Sequence, residues 1–254
     1  MKRIIVVIPA RMASSRYPGK PLAEILGLPM VEHIRRRALL AKEIDEAIVA
    51  TCDKAIMDVV TQAGGRAVMT ADTHERATER VAEAVRSLEG DIVIVVQGDE
   101  PLLMPDVLEM VAAPFLKSDG PNCVSLLSHL ESEEDYNNPN IVKAACDQRG
   151  NVLFFSRAPI PYFQHSNSCP IYRETGIRAF RKEFLRAYVT LPETPFEQAE
   201  SVGMLRLLEH GYRIFGVVTQ QPTLGVDHPE DIVKVEQILT QDPIQRALYR
   251  QIAD

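Results

Sequence analysis

Residues 4–22 read IIVVIPARMASSRYPGKPL, an apolar run that ends at a proline and passes into a cationic loop. A continuous β-branched run of this kind is typical of a parallel strand buried on both faces. Open α/β sheets bind their ligands beyond the carboxyl ends of such strands. The loop carries Arg11, Arg16 and Lys20, and Gly19 allows close backbone approach. These residues predict a site for a strongly anionic ligand, with a merely basic surface loop as the plainer alternative.

The composition limits the classes of partner. The chain has 254 residues, of which 46% are hydrophobic and 25% charged, and its net charge is −7. This acidic balance, with no basic tail or stripe, argues against a nucleic-acid or membrane partner, so the basic loop should serve something small. The four cysteines form no CxxC pair, which disfavours disulfides and zinc. The first apolar run is too short for a signal peptide or a membrane span, and we expect a cytoplasmic protein.

Strands and helices alternate through the first hundred residues. The pattern predicts further strands at 46–51, 66–70 and 91–96, and helices at 30–41, 54–63 and 78–88. Such alternation implies right-handed crossovers and a mostly parallel sheet flanked by helices, which is a Rossmann-like α/β fold. Neither a GxGxxG nor a GxxxxGK[ST] pattern occurs, which disfavours dinucleotide-binding and P-loop enzymes.

The pattern changes after residue 122. Extended segments are predicted at 123–130, 141–146 and 151–156, helices at 182–189 and 196–210, a strand at 212–218 and a last helix to about residue 239. We expect one domain over residues 1–254 that contains an excursion at about 122–195. No function is assigned to residues 243–254.

A carboxylate follows the strand predicted at 91–96. The sequence there is QGDEP at residues 97–101, so Asp99 should lie at the same sheet edge as the cationic loop. Mg²⁺ prefers one or two carboxylates together with substrate phosphate oxygens, which such an edge would provide. A solvated turn aspartate is the alternative.

Five separated motifs resemble one family. They are PARxxSSRxPGKPL at 9–22, VVQGDEP at 95–101, NPNxVK at 138–143, FFSRAPIP at 154–161 and GVDxPED at 225–231. Together they resemble the bacterial sugar cytidylyltransferases, most closely those of 3-deoxy-manno-octulosonate (Kdo). The resemblance runs from residue 3 to about residue 240.

The resemblance implies a reaction and its residues. A Mg²⁺-dependent enzyme would move CMP from CTP onto the anomeric hydroxyl of an acidic sugar and release pyrophosphate, for cell-surface polysaccharide synthesis. The excursion would help to bind the sugar and form a homodimer. Arg11, Lys20, Asp99 and Asp227 would be catalytic, with the two aspartates as metal ligands. The implied nucleotide contacts are Ala10, Arg11, Ser15, Arg16, Lys20, Met69, Arg76 and Gln97, and the implied acceptor contacts are Arg157, Glu174, Arg178 and Glu200.

Two segments depart from the family pattern. A His-x-Ser-Gly-Thr-(Asp/Glu)-Arg segment becomes HERATER at 74–80, so that Arg76 adds bulk and charge near the base. The acceptor segment His-x-Gly-x-Tyr becomes ETGIR at 174–178, and a Glu-Gln pair becomes Gly203-Met204. Rewriting the polar partners of a substrate hydroxyl should rewrite substrate choice.

Three hypotheses remain open from sequence. Glu174 and Arg178 pair with each other and leave Kdo as the acceptor, or they face a different acid, such as an amino-Kdo, another 2-keto-3-deoxy acid or a phosphonate. The third hypothesis is a non-catalytic nucleotide-binding protein. Retention of Asp99 and Asp227 counts against it, because binding alone does not require two carboxylates at a metal site.

Overall fold

A computed structural model describes residues 2–14, 16–130, 132–165, 169–221 and 224–253. The elements, in chain order, are β1 Ile4–Ala10, β2 Glu24–Ile25, β3 Leu28–Pro29, α1 Met30–Ala38, β4 Glu46–Thr51, α2 Lys54–Gln62, β5 Arg66–Met69, α3 Ala77–Ala84, β6 Ile92–Val95, α4 Pro105–Leu116, β7 Cys123–His129, α5 Glu133–Asn137, β8 Lys143–Cys146, β9 Val152–Ser156, β10 Tyr172–Arg181, α6 Lys182–Tyr188, α7 Pro195–Glu200, α8 Leu205–Glu209, β11 Phe215–Thr219, α9 Asp231–Gln241 and α10 Pro243–Ile252.

The chain divides into two compact units. The first comprises Met1–Glu109 and Thr223–Asp254, and the second comprises Met110–Pro222. The prediction of a single domain with an excursion is not tested by this division and stays a prediction. No helix among the described residues is both long and apolar enough to cross a membrane.

The first unit is built on a parallel sheet in the order β6-β1-β4-β5. Val7 of β1 lies opposite Ile48 of β4 on one side and Val95 of β6 on the other. Every residue of β1 is buried, as expected for a β-branched strand covered by helices on both faces. The predicted α/β class, with a mostly parallel sheet flanked by helices, is confirmed.

The second unit has a mixed sheet. Strand β7 pairs parallel with β11 and antiparallel with β10, and β8 pairs antiparallel with both β10 and β9. The long strand β10 was not predicted from sequence, because its charged residues interrupt the apolar pattern. Its register shifts between Glu174 and Arg178, where Gly176 adopts a φ of +90°.

The helix predicted at 196–210 is wrong as a single element. It is two short helices, α7 and α8, because Ser201 ends the first with a left-handed φ of 53°. A residue in that conformation stops the helical hydrogen-bond ladder.

The C-terminal helix α10 completes the packing around α1. The Tyr249 hydroxyl donates to the Leu26 carbonyl at 2.9 Å, and its ring stacks on His33 at 5.7 Å between centroids. Arg36 donates from Nη1 to the Ile252 carbonyl at 2.6 Å. Residues 243–252 therefore have a structural role that the sequence did not indicate.

His33 is a neutral histidine in this core. Its Nε2 lies 2.8 Å from the Ile25 carbonyl, and its Nδ1 is buried with no partner among the described residues. Burial lowers the pKa of His33 from 6.5 to about 4, with Arg37 and Arg36 adding to the effect and the Ile25 contact opposing it. Because the unfolded chain binds this proton more readily, stability falls as the pH drops from about 6.5 towards 4.

We predict that His33→Gln reduces the acid sensitivity of the fold. From the two pKa values, His33 should cost about 2 kcal/mol of unfolding free energy between pH 7 and pH 5. Urea unfolding at both pH values measures this difference, so an equal loss of stability at both pH values does not affect the result. His165→Gln, at an exposed histidine, is the control. An unchanged pH difference in His33→Gln would contradict the role given to this side chain.

Candidate active site

A cleft of about 320 Å³ lies in the first unit. Its walls come from the loop after β1, the residues before and at the start of α3, the turn after β6 and the segment before α9. The sequence-predicted residues that line it are Ala10, Arg11, Arg16, Lys20, Arg76, Gln97, Asp99 and Asp227. Parallel pairing of β1 with β6 explains why two of these segments meet, since both strands end at the same sheet edge.

The turn after β6 packs tightly on β1. An ideal methyl group at Gly98 would lie 2.7 Å from the carbonyl oxygen of Pro9, and that oxygen belongs to a buried strand that cannot easily move. Glycine at residue 98 thus sets how closely Asp99 approaches the cationic loop.

Lys20 joins three segments of the cleft. Its Nζ lies 2.8 Å from Asp99 Oδ2 and donates to the Val226 carbonyl at 2.7 Å. The Val226 amide in turn donates to the Asp99 carbonyl at 2.8 Å. The ammonium is mostly buried, with 11% of the side chain exposed, so this ion pair is better shielded from water than a surface pair.

Asp227 is placed by the start of α9. The Asp231 carboxylate accepts from the backbone amides of Asp227 and His228 at 3.0 and 2.9 Å. The bond from His228 is the largest of several contacts that lower the pKa of Asp231. Asp227 Oδ1 itself lies 3.0 Å from Nη2 of Arg16, and both side chains are about half exposed. An exposed pair of this kind contributes little stability and can separate when a ligand binds.

Arg11 is an available cation at the cleft. It is exposed and lines the cleft, and within the described ranges it makes no hydrogen bond or ion pair. Ser15, predicted to contact the nucleotide, lies outside the described residues. Met69 is described but is not among the residues that line the cleft, and it ends the edge strand β5 with its side chain exposed.

Arg80 is a cleft residue that sequence reasoning did not select. Its Nη1 donates to Thr70 Oγ1 at 2.6 Å and to the Ala71 carbonyl at 3.1 Å. The residue is 3% exposed and lines the cleft, yet its Nη2 has no hydrogen-bond partner in the part of the chain described. A buried guanidinium nitrogen without an acceptor favours binding of an anionic or carbonyl oxygen. The sequence signal that could have identified Arg80 is its position four residues, about one helical turn, after Arg76, which was predicted to contact the nucleotide.

His74 helps to fix the segment before α3 that carries Arg76. Its Nε2 contacts the Glu83 carboxylate, which also accepts from the Ala71 amide at 3.0 Å. The contact with His74 is the largest cause that lowers the pKa of Glu83, followed by the Ala71 bond. The segment that carries Arg76 is therefore tied to α3.

The acceptor residues predicted from sequence all lie in the second unit. Glu200 accepts from the Ser156 hydroxyl at 2.6 Å and from the Arg157 amide at 2.7 Å, and Arg157 Nε donates to the Glu200 carbonyl at 2.7 Å. Arg157 Nη1 donates to the Pro139 carbonyl, whereas its Nη2 has no partner among the described residues. Lys143 donates to the backbone carbonyls of Asn138, Ile141 and Arg157, and so connects the segment before β8 to the segment after β9. Burial lowers the pKa of Lys143.

Glu174 and Arg178 contact each other across the register shift of β10. Arg178 Nε lies 2.7 Å from Glu174 Oε1, and their side chains are only 15% and 5% exposed, respectively. Burial opposes the charge of Arg178, but the charge and hydrogen bond of Glu174 outweigh it and raise the pKa of Arg178. The two charged residues by which the acceptor segment departs from the family pattern thus form one ion pair.

The donor set of the cleft suits a hard cation. No cluster of three or more metal-binding side chains occurs among the described residues. Asp99 and Asp227 nevertheless line the same cleft and are linked through the Val226–Asp99 backbone bond. Two carboxylates with open oxygen positions fit Mg²⁺ when substrate phosphates supply further ligands.

Comparison with known proteins agrees with an α/β nucleotidyltransferase. A family profile described as cytidylyltransferase matches residues 5–214. The 3-deoxy-manno-octulosonate cytidylyltransferase of Acaryochloris marina is 41% identical over 94% of this chain and 98% of its own. That of Syntrophotalea carbinolica is 42% identical over 92% and 97%. The chain belongs to the cytidylyltransferase family, and within it to the 3-deoxy-manno-octulosonate cytidylyltransferases.

Solved structures support the same assignment. The structure of a CMP:2-keto-3-deoxy-manno-octonic acid synthetase complexed with CTP has a TM-score of 0.90 and 37% identity, over 94% of this chain and 99% of that one. A 4-diphosphocytidyl-2C-methyl-D-erythritol synthase from Anaerococcus prevotii has a TM-score of 0.65 and 16% identity, over 94% and 99%, and shares the fold.

We predict that Gly98→Ala disrupts the cleft, because the new methyl group would displace the Asp99 turn from the Pro9 carbonyl. CTP affinity should fall at least tenfold, a loss of about 1.4 kcal/mol in binding. Calorimetric titration with CTP and Mg²⁺ measures it. Gly225→Ala is a matched control, since a methyl group there would lie at an ordinary 3.6 Å from the Asp99 carbonyl. Equal CTP affinity in the two variants would show that the close approach of residue 98 to the Pro9 carbonyl is not needed for CTP binding.

Proposed function

We propose that this chain is a Mg²⁺-dependent cytidylyltransferase that moves CMP from CTP onto the anomeric hydroxyl of Kdo and releases pyrophosphate. The observation that carries the proposal is the Lys20–Asp99 contact, which puts a shielded ammonium and a carboxylate together in a cleft lined by further arginines. The names of the relatives and of the CTP-bound structure supply the nucleotide and the acceptor class.

The cationic loop would hold the triphosphate. Arg11 and Lys20 would contact phosphate oxygens, and Arg16 would exchange Asp227 for phosphate. Charge-assisted bonds of this kind are about twice as strong as neutral ones. The nucleoside would contact four other residues that line the cleft, namely Ala10, Arg76, Arg80 and Gln97. Ser15 and Met69 are retained as nucleotide contacts only on the family resemblance.

Asp99 and Asp227 would hold the metal ion with the substrate phosphates. When bound, Mg²⁺ supplies charge neutralisation and orients the phosphates. The residues of the chain itself position the reacting groups: Lys20 fixes the Asp99 side chain, and Asp231 fixes the loop of Asp227. Such preorganisation is the main means by which phosphoryl-transfer enzymes lower the barrier.

The chemical step is a single displacement. The acceptor hydroxyl oxygen forms a bond to the α-phosphorus, the bond to the bridging oxygen breaks, and pyrophosphate leaves with that electron pair. The hydroxyl proton passes to solvent. The step does not pass through a covalent enzyme intermediate, so no nucleophile–base pair is required.

Kdo is favoured as acceptor because Glu174 and Arg178 bind each other. A buried carboxylate that already accepts from a guanidinium is poorly available to an amino group of the substrate, and its partner is equally occupied. Arg157 can still contact the acid through Nη2. An amino-Kdo, another 2-keto-3-deoxy acid or a phosphonate is the second candidate, and it would require that pair to open.

Cytoplasmic location, a role in cell-surface polysaccharide synthesis and a homodimer also belong to this proposal. The second unit exposes large apolar side chains that suit burial against another copy, among them Leu153, Tyr162 and Phe196. A non-catalytic nucleotide-binding protein is disfavoured, because both metal-binding carboxylates line the cleft.

We predict that Asp99→Asn and Lys20→Ala each lower turnover about 100- to 1000-fold, since each removes a preorganised charge. Pyrophosphate release with CTP, Mg²⁺ and Kdo measures the rate. Lys54→Ala, which removes an exposed lysine on α2, serves as the control for a lost charge. Near-normal turnover in either cleft variant would refute the assigned roles, and CTP binding without release for any acid acceptor would favour the non-catalytic protein.

We predict that Arg178→Met destabilises the chain by about 3–5 kcal/mol, because it leaves the Glu174 carboxylate buried and unpaired. The double variant Glu174→Gln/Arg178→Met should recover much of that loss. Urea unfolding measures both. Arg186→Met alone and with Glu183→Gln are the controls, at an exposed pair of the same unit.

The same double variant tests the acceptor. If the pair is structural, the KM for Kdo should change by less than about tenfold, which corresponds to about 1.4 kcal/mol. A stable double variant that loses Kdo selectively, or that gains a different acid, would show that the pair faces the substrate.

A further inference from the structure

The second unit contains a cavity of about 640 Å³ that the proposed reaction does not use. It is bounded by the end of α4, the loop at 117–122, Phe184 of α6 and the residues that lead into β11. None of the described residues assigned to CTP, metal or acceptor lines it. Its volume lies in the range of small-molecule sites.

Aromatic rings form part of its wall. Phe184 and Tyr212 pack edge to face with their centroids 5.0 Å apart, and both line the cavity. Phe215 also lines the cavity. Its ring packs closely on Gly150, where an ideal methyl group would lie 3.3 Å from the ring. Ring faces and edges held in this way favour a flat aromatic ligand.

Two cations share this cavity. Lys117 and Arg213 line it, and over the described ranges neither side chain makes a hydrogen bond or an ion pair. Asp119 also lines it and pairs with neither of them, so the titratable groups at the wall leave one excess positive charge. Two cations that form no ion pair with a described carboxylate, at a wall with net positive charge, favour an anionic group on the ligand.

The loop at the rim is already held in place. Arg181 donates from Nε to the Pro121 carbonyl at 3.1 Å and from Nη2 to the Gly120 carbonyl at 2.9 Å, and its amide donates to the Asn122 carbonyl at 3.0 Å. A methyl group at Gly120 would lie only 2.3 Å from the Pro114 carbonyl, so the loop packs directly on α4. A preformed rim lowers the ordering cost of binding.

We infer that this cavity binds a small anion that carries a flat aromatic ring, of the chemical class of a nucleoside monophosphate. The ring contacts the wall of Phe184, Tyr212 and Phe215, and the anionic group contacts Lys117 and Arg213. The site is distinct from the cleft in the first unit, and its existence does not depend on the acceptor or on turnover.

The test is calorimetric titration of the full chain with AMP, with adenosine and with ribose 5-phosphate, in the absence of CTP. AMP should bind, and the ring alone and the anion alone should each bind at least about tenfold more weakly, because each lacks one half of the recognition. Absence of AMP binding at millimolar concentration would overturn the inference. So would equal binding of ribose 5-phosphate, which would indicate a general anion site.

Variants locate the binding. Lys117→Gln/Arg213→Gln should weaken AMP by about tenfold or more, whereas Arg11→Gln/Lys20→Gln in the cleft should leave it unchanged. Lys54→Gln/Arg186→Gln removes two exposed cations elsewhere and controls for net charge. The reverse pattern would place AMP in the cleft and overturn the inference.

An independent readout comes from 3-fluorotyrosine labelling. The resonance that is lost in Tyr212→Phe should shift on addition of AMP in the unsubstituted chain and in the cleft variant. No shift of that resonance at saturating AMP would overturn the assignment to this cavity, whatever the calorimetry shows.

Discussion

The contact of Lys20 with Asp99 and the Val226 carbonyl is the interaction on which the cleft depends. It links the loop after β1, the turn after β6 and the segment before α9, which are far apart in sequence. One ammonium thus neutralises a carboxylate and satisfies a carbonyl in a mostly buried position. Without it, the Asp99 carboxylate would lose its ion-pair partner, and the segment before α9 would lose one of its attachments to the sheet edge.

The nucleotide side could be anticipated from sequence, because local pattern and sheet topology point to the same edge. The run at 4–8 predicts a buried strand, and in a parallel sheet its end must lie near the end of the strand before Asp99. The placement of Arg11, Lys20 and Asp99 in one cleft follows from that geometry. Arg80 was missed because sequence shows neither its burial nor that its Nη2 lacks a hydrogen-bond partner among the described residues.

The second unit was harder to predict, since its key features are non-local. Strand β10 carries charged residues that interrupt the two-residue apolar alternation expected of a strand. Ser201 divides a helix that the apolar pattern predicts as continuous. The Glu174–Arg178 pair was one of two sequence alternatives, and only the register shift of β10 explains how residues four apart on a strand can meet. The cavity beside Phe184 is formed by segments that no motif connects.

The division of the chain also has a consequence for its biosynthesis. The second unit is continuous in sequence, whereas the first is completed only by α9 and α10, which are translated after the second unit. During synthesis the second unit can thus fold before the first unit is complete. The contact between Lys20 and the Val226 carbonyl can form only after the segment before α9 has been translated. A ribosome-bound nascent chain would contain Lys20 and Asp99 before it contains the segment that fixes them.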